Sequence, residues 1–318
     1  LILGEIAALM GIMGIIVNLI EEWIFYLSGY HADKIILTLF IILALYYLFW
    51  VGQYIKFEKL LIIFVSIMAF CFITSMIMVI PDPIEVAKGM VPTSPAGENS
   101  HLIAAGMAGT TLSAVLFIMR SIVVQEKGWG PDDLAKEKRD ALVSASLMLL
   151  LSGAVMACAA GTLYQQGIPV DRAVDMIKII EPLAGKFAIT LFVIGIVSAG
   201  ISTVFPIILI APWLISDFTG GKRNIQSKMY RILAGVGILL GLIIPVFGGR
   251  PVFIMIASQA FQALLMPLIT IAIIILLSKK ELIKDAVVGR WLIAGCWATF
   301  IFSVVMAYAG FVGLFKSL

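Results

Sequence analysis

The residues best able to do chemistry in this chain are uncharged and lie inside apolar runs. The stretch Gly106-Met107-Ala108-Gly109-Thr110-Thr111-Leu112-Ser113-Ala114 puts two glycines, two threonines and a serine in the middle of one run. Glycine and threonine weaken a helix, and a helix interrupted there offers carbonyl and hydroxyl oxygens to an ion. Discontinuous helices supply ion and substrate sites in many transporters. Close packing of helices through small residues explains the same composition, so both readings stand. Another run holds Ser258-Gln259 and Gln262, two amides at i and i+3 that share a helical face and need partners. The patch Ser198-Ala199-Gly200-Ile201-Ser202-Thr203 has packing as its simpler use, and Asn18 fits a hydrogen bond between helices.

Titratable groups are scarce in the same runs. Glu5 lies near the inner end of the first, Glu21 and Glu22 lie towards its outer end as interfacial groups, and His31 and His101 fall at loops. Intramembrane ionisable residues mark function because they are costly there, and Glu5 divides between an inner-vestibule role and a helix-terminus carboxylate. Buried acid–base pairs, Ser/His/Asp arrangements and metalloprotease spacings are not found in the sequence, so the chain does not read as an enzyme. Cys71, Cys158 and Cys296 are far apart in apolar runs and read as small buried hydrophobes.

The elements that position these residues follow from composition. Of 318 residues, 62% are hydrophobic and 13% charged, and mean hydropathy is +1.11; a soluble domain carries about 25% charge. That excludes soluble enzymes and disordered proteins, and a net charge of +3 does not call for nucleic acid. A span needs about 20 apolar residues, and nine runs qualify: 2–28, 35–52, 59–80, 102–124, 141–162, 186–216, 230–247, 252–278 and 289–315. They are continuous, which favours helices over barrel strands. The 186–216 run is long enough to tilt or to bend near Pro206. With the first span running outward, 15 of the 22 Lys and Arg residues fall on the inner side and 7 on the outer, which is the expected asymmetry. The chain opens with Leu1-Ile2-Leu3, without a polar flank, and is expected to begin inside a longer protein. Residues 81–101 read as an outer connection, and 126–140 as a solvated linker or short helix.

The order of these motifs resembles that of the Nramp divalent-metal transporters. The run from Pro92 through Gly109-Thr110-Thr111-Leu112-Ser113-Ala114-Val115-Leu116-Phe117-Ile118-Met119-Arg120-Ser121 is similar to their sixth span. Phe57-Glu58-Lys59-Leu60, Glu181-Pro182-Leu183-Ala184-Gly185, Ser198-Ala199-Gly200 and Ser258-Gln259 with Leu265-Met266-Pro267 follow in the family's order. The resemblance implies an all-α, multi-pass LeuT-type inverted-repeat fold, one transporter domain over 1–318 holding spans three to eleven. The family's Asp-Pro-Gly-Asn metal motif would then precede this sequence.

Carried over by position, the resemblance assigns metal contact to Thr110 (carbonyl), Ser113 and Gln259. Gly109, Thr111, Glu5 and Arg120 support them. Ser113 stands where the family has a metal-binding Met, Ala114 where it has Pro and Val115 where it has His. Arg120 replaces a later His, and Ile12 and Ile15 replace acids of a proton route. Thioether sulfur favours transition metals, and hydroxyl or carbonyl oxygen favours hard cations. The expectation is a secondary transporter of a divalent cation in the cell's plasma membrane, Mn²⁺ or Fe²⁺ by family and Mg²⁺ by ligand chemistry. The metal is cargo, no cofactor is expected, and lipid is the surrounding partner. The alternatives are a carrier of another solute, such as an amino acid, and a membrane sensor or scaffold that has lost its site.

Overall fold

Long apolar runs fold as helices in lipid because a helix satisfies its own backbone polar groups. The computed structural model describes residues 1–51, 54–79, 82–89, 99–162, 175–221, 226–279, 281 and 288–317. These form thirteen α-helices and one short 3₁₀ turn, with no strand among the described residues. In chain order the helices are α1 (Ile2–Ser28), α2 (Lys34–Val51), α3 (Tyr54–Val79), α4 (Pro83–Gly89), α5 (Ser100–Thr111), α6 (Ala114–Glu126) and α7 (Leu134–Thr162). There follow α8 (Asp175–Thr219), α9 (Lys228–Leu240), α10 (Ile243–Phe247), α11 (Pro251–Ala263), α12 (Met266–Ser278) and α13 (Arg290–Ser317).

Among the described residues, seven helical stretches are long and apolar enough to cross a membrane: 2–28, 100–125, 131–157, 189–219, 228–247, 251–278 and 290–316. The runs expected at 35–52 and 59–80 fall on α2 and α3, whose described apolar stretches are shorter, Lys34–Tyr47 and Leu61–Ile77. Helix α8 continues through Pro206 to Thr219. The connection at 81–101 contains α4, opened by Asp82, whose carboxylate accepts the Ile84 N–H at 2.9 Å; residues 90–98, with Pro92, lie outside the described residues. The side chains of Glu181–Gly185 and of Phe57-Glu58 do as well. Within 126–140, Pro131–Asp133 makes a single turn, and Asp133 accepts the Gly130 N–H at 3.2 Å and a Lys136 proton at 2.7 Å.

The helices form two compact units, one of Leu1–Ala8, Thr93–Lys127 and Ile254–Leu318, the other of Leu9–Pro92 and Gly128–Phe253. In the second unit α3 packs on α8 and α7, and α9 on α8 and α2. The patch at 198–203 serves packing there. A side chain at Gly200 would meet Ile16 at 2.7 Å, and the hydroxyls of Ser202 and Thr203 both return to the Ala199 carbonyl at 2.8 Å. Ile12 and Ile15 are buried in the same unit. At the far end of α1, Glu21 pairs with Lys34 at 3.1 Å and the Trp23 indole N–H donates to Thr190 at 3.3 Å.

The first unit is built on close backbone approach. A methyl at Gly106 would lie 3.1 Å from the Ile256 carbonyl oxygen, one at Gly310 would lie 3.0 Å from that of Ala260, and one at Gly313 would lie 2.5 Å from the Leu102 nitrogen. Glycines at these points let α5, α11 and α13 come together, as small residues do between helices in lipid. Leu102, Ala105 and Ala260 form the core of the contact. Helix α12 packs on α13, where the Thr270 and Ser303 hydroxyls meet at 3.3 Å.

Candidate functional site: a broken helix in the first unit

The run through Gly106–Ala114 is interrupted. Helix α5 closes with the Leu112 N–H on the Ala108 carbonyl at 2.8 Å. Leu112 then leaves helical geometry (φ −112°, ψ 49°), Ser113 is extended (φ −68°, ψ 138°), and α6 begins at Ala114. The final carbonyls of a helix have no partner within it, so those after Ala108 point past the end of α5. Thr110 and Thr111 are exposed, and both hydroxyls bond the Met107 carbonyl, at 2.8 and 3.1 Å. Their side chains are thus committed to backbone, and what Thr110 offers a ligand is its carbonyl. Gly109 does packing work as well: a methyl there would overlap the Gln259 carbonyl of α11.

Ser113 restarts the chain. Its Oγ accepts the Val115 N–H at 3.2 Å, its carbonyl accepts the Leu116 N–H at 3.0 Å, and its hydroxyl donates to Gln262 Oε1 at 2.8 Å. Gln262 is fully buried, and its Nε2 donates to the carboxylate of Glu5, also buried. Ser113, Gln262 and Glu5 therefore form one hydrogen-bonded line from α6 through α11 to the first turn of α1.

Helix α11 is broken close to the same place. Pro267 has no N–H to give the Ala263 carbonyl; the chain turns at Leu264 and Leu265, and α12 starts at Met266. Two interrupted helices, α5–α6 and α11–α12, face each other through Gly109 against Gln259 and Ser113 against Gln262.

Of the residues singled out in the sequence, Ser113 and Glu5 belong to this line, and Thr110, Thr111 and Gly109 border the break. Gln259 is half-buried and meets Gly109 through its backbone; Gln262 is the amide that bonds Ser113. Ser258 turns its hydroxyl to the Met255 carbonyl at 2.7 Å. Arg120 is half-buried on α6, seven residues from Ser113 and so roughly 10 Å along the helix. Gln262 was not among the positions the resemblance supplied. Its signal lay in the paired amides, one of which had to be buried and bonded. Among the described residues there is no group of three or more His, Cys, Asp and Glu that could hold a metal. The line offers oxygen donors: hydroxyl, amide carbonyl, carboxylate and main-chain carbonyl.

The profile of the natural resistance-associated macrophage protein-like family, Nramp, matches residues 3–313. The chain belongs to the Nramp family. Among its relatives are divalent metal cation transporters MntH. That of Brucella suis biovar 1 is 26% identical over 265 residues, 79% of this chain and 56% of the relative. That of Listeria welshimeri is 24% identical over 249 residues, 74% of this chain and 55% of the relative. That of Clostridium acetobutylicum is 24% identical over 199 residues, 61% of this chain and 45% of the relative. The chain spans about half the length of these relatives. Nramp membership brings the LeuT-like helical fold and a multi-pass position in the membrane, and the seven apolar stretches agree with both.

Proposed function

We propose that this Nramp chain carries divalent metal cations across a plasma membrane by alternating access, its residues 1–318 acting as one transporter domain. The observation that carries the reading is the unwound stretch Leu112–Ser113, set against a second interrupted helix and lined with oxygen. Unwound backbone is tolerated at membrane depth only where it is buried in protein or lines a water-filled cavity, and helix-end carbonyls beside a buried hydroxyl suit a cation there. The names of the MntH relatives support a divalent cation as cargo. The metal is substrate, and nothing in the reading needs a cofactor or an enzymatic step.

The ligands in this reading are the Thr110 carbonyl, the Ser113 hydroxyl and the amide of Gln259, whose backbone already lies beside Gly109. With a hydroxyl in place of a thioether, the donor set is hard and suits Mg²⁺ as well as Mn²⁺. Ile12 and Ile15, buried without charge, leave the first helix short of acids for a proton route, so uptake should draw few protons with it. Flux into proteoliposomes tests this. Mg²⁺ and Mn²⁺ should compete for entry, and Ser113→Ala should lower both. Proton-coupled Mn²⁺ uptake that Mg²⁺ does not inhibit, abolished by Ser113→Ala, would overturn the hard-cation version.

A further inference from the structure

The hydrogen bonds around Ser113 determine which end of each group faces which. In the structure a carboxylate oxygen of Glu5 accepts from the N–H end of the Gln262 amide. The amide carbonyl is thereby turned to Ser113, whose hydroxyl has an acceptor to point at. A serine hydroxyl has one proton and two lone pairs. The proton lies on Gln262, one lone pair takes the Val115 N–H, and the second remains for a ligand.

We propose that Glu5 and Gln262 are positioning residues that set the polarity of Ser113, holding its proton away from the break so that a lone pair faces the cation. The inference rests on the transport reading and adds two residues to it. With the amide reversed, Ser113 would accept an N–H from Gln262 and its own proton would turn to the break. A cation arriving there would meet the positive end of the hydroxyl dipole.

The surroundings favour the orientation seen. Gln262 is fully buried, and a methyl at Gly4 would come within 3.3 Å of its Cγ, so the side chain is walled in by α1. Helix α11, Pro251–Ala263, carries no charged side chain that could compete for the amide. Glu5 is therefore the group that decides which way Gln262 points.

The test is a double-mutant cycle on the intact protein in proteoliposomes, with Mg²⁺ and Mn²⁺ as probes. Gln262→Met keeps the length of the side chain and removes the amide. It should raise the half-saturating concentration roughly 10- to 100-fold, the range for removing an outer partner of a metal ligand, and leave the maximal rate nearly unchanged. In a Ser113→Ala background the same change should add nothing. Glu5→Gln, which keeps an oxygen for Nε2, should retain more affinity than Glu5→Leu, and this pair serves if Gln262→Met does not fold. Equal losses with and without Ser113, or no change in half-saturation, would overturn the inference while leaving transport intact. A wild type that moves neither ion would overturn the transport reading, and this inference with it.

Discussion

Position 113 combines tasks that are separable by substitution. As first residue before α6 it caps the Val115 N–H, and losing such a cap costs about 1 kcal/mol. Ser113→Ala also leaves the Gln262 carbonyl oxygen buried without its donor, a further ~1–3 kcal/mol. The melting temperature of the purified protein should therefore fall with Ser113→Ala and stay near wild type with Ser113→Thr, which keeps the hydroxyl. Ser113→Met should shift competition towards Mn²⁺ over Mg²⁺, since sulfur is the softer donor; unchanged competition would show that this side chain does not touch the cargo. Sequence made Ser113 conspicuous as a polar residue beside glycines in an apolar run. It could not show that Gln262, 149 residues away, would be its partner. Residues so distant are brought together by packing, which a linear pattern does not contain.

At the scale of elements, two readings of Gly106–Ala114 were open, packing and a broken helix, and the structure divides them between neighbouring residues. Gly106 and Gly109 serve packing against α11, and Leu112–Ser113 form the break. Composition made both legible because the same small residues that allow close approach also weaken the helix. Which residue does which was not legible, because it depends on where α11 lies. Gly109→Val should destabilise by at least about 1–3 kcal/mol, as overpacking does, read as a lower melting temperature. Gly153, on an outward face of α7 with open space around it, should tolerate the same change with little effect. The interruption of α11 at Pro267 was readable from proline chemistry alone, since the Ala263 carbonyl loses its donor wherever the helix packs.

For the whole molecule, membrane helices were legible from charge and hydropathy because lipid excludes the alternatives. Seven stretches meet the length and apolarity of a span among the described residues, and α2 and α3 add shorter ones. If the first span runs outward, as the cation asymmetry of 15 against 7 favours, Lys136 and Arg290 face the inner side and Lys34 the outer. A cysteine at position 136 should then react with an impermeant maleimide only after the cell membrane is opened, and one at position 34 should react in intact cells. The reverse pattern would invert the topology. Ile12 and Ile15 are buried and apolar along α1, which bears on the same scale. The most direct measurement of the central claim is divalent cation uptake by proteoliposomes holding the intact protein. Saturable Mg²⁺ and Mn²⁺ entry, mutually competitive and lowered by Ser113→Ala, is the result this account predicts. Absence of entry for both ions, with thermal protection of the protein by an amino acid instead, would contradict it.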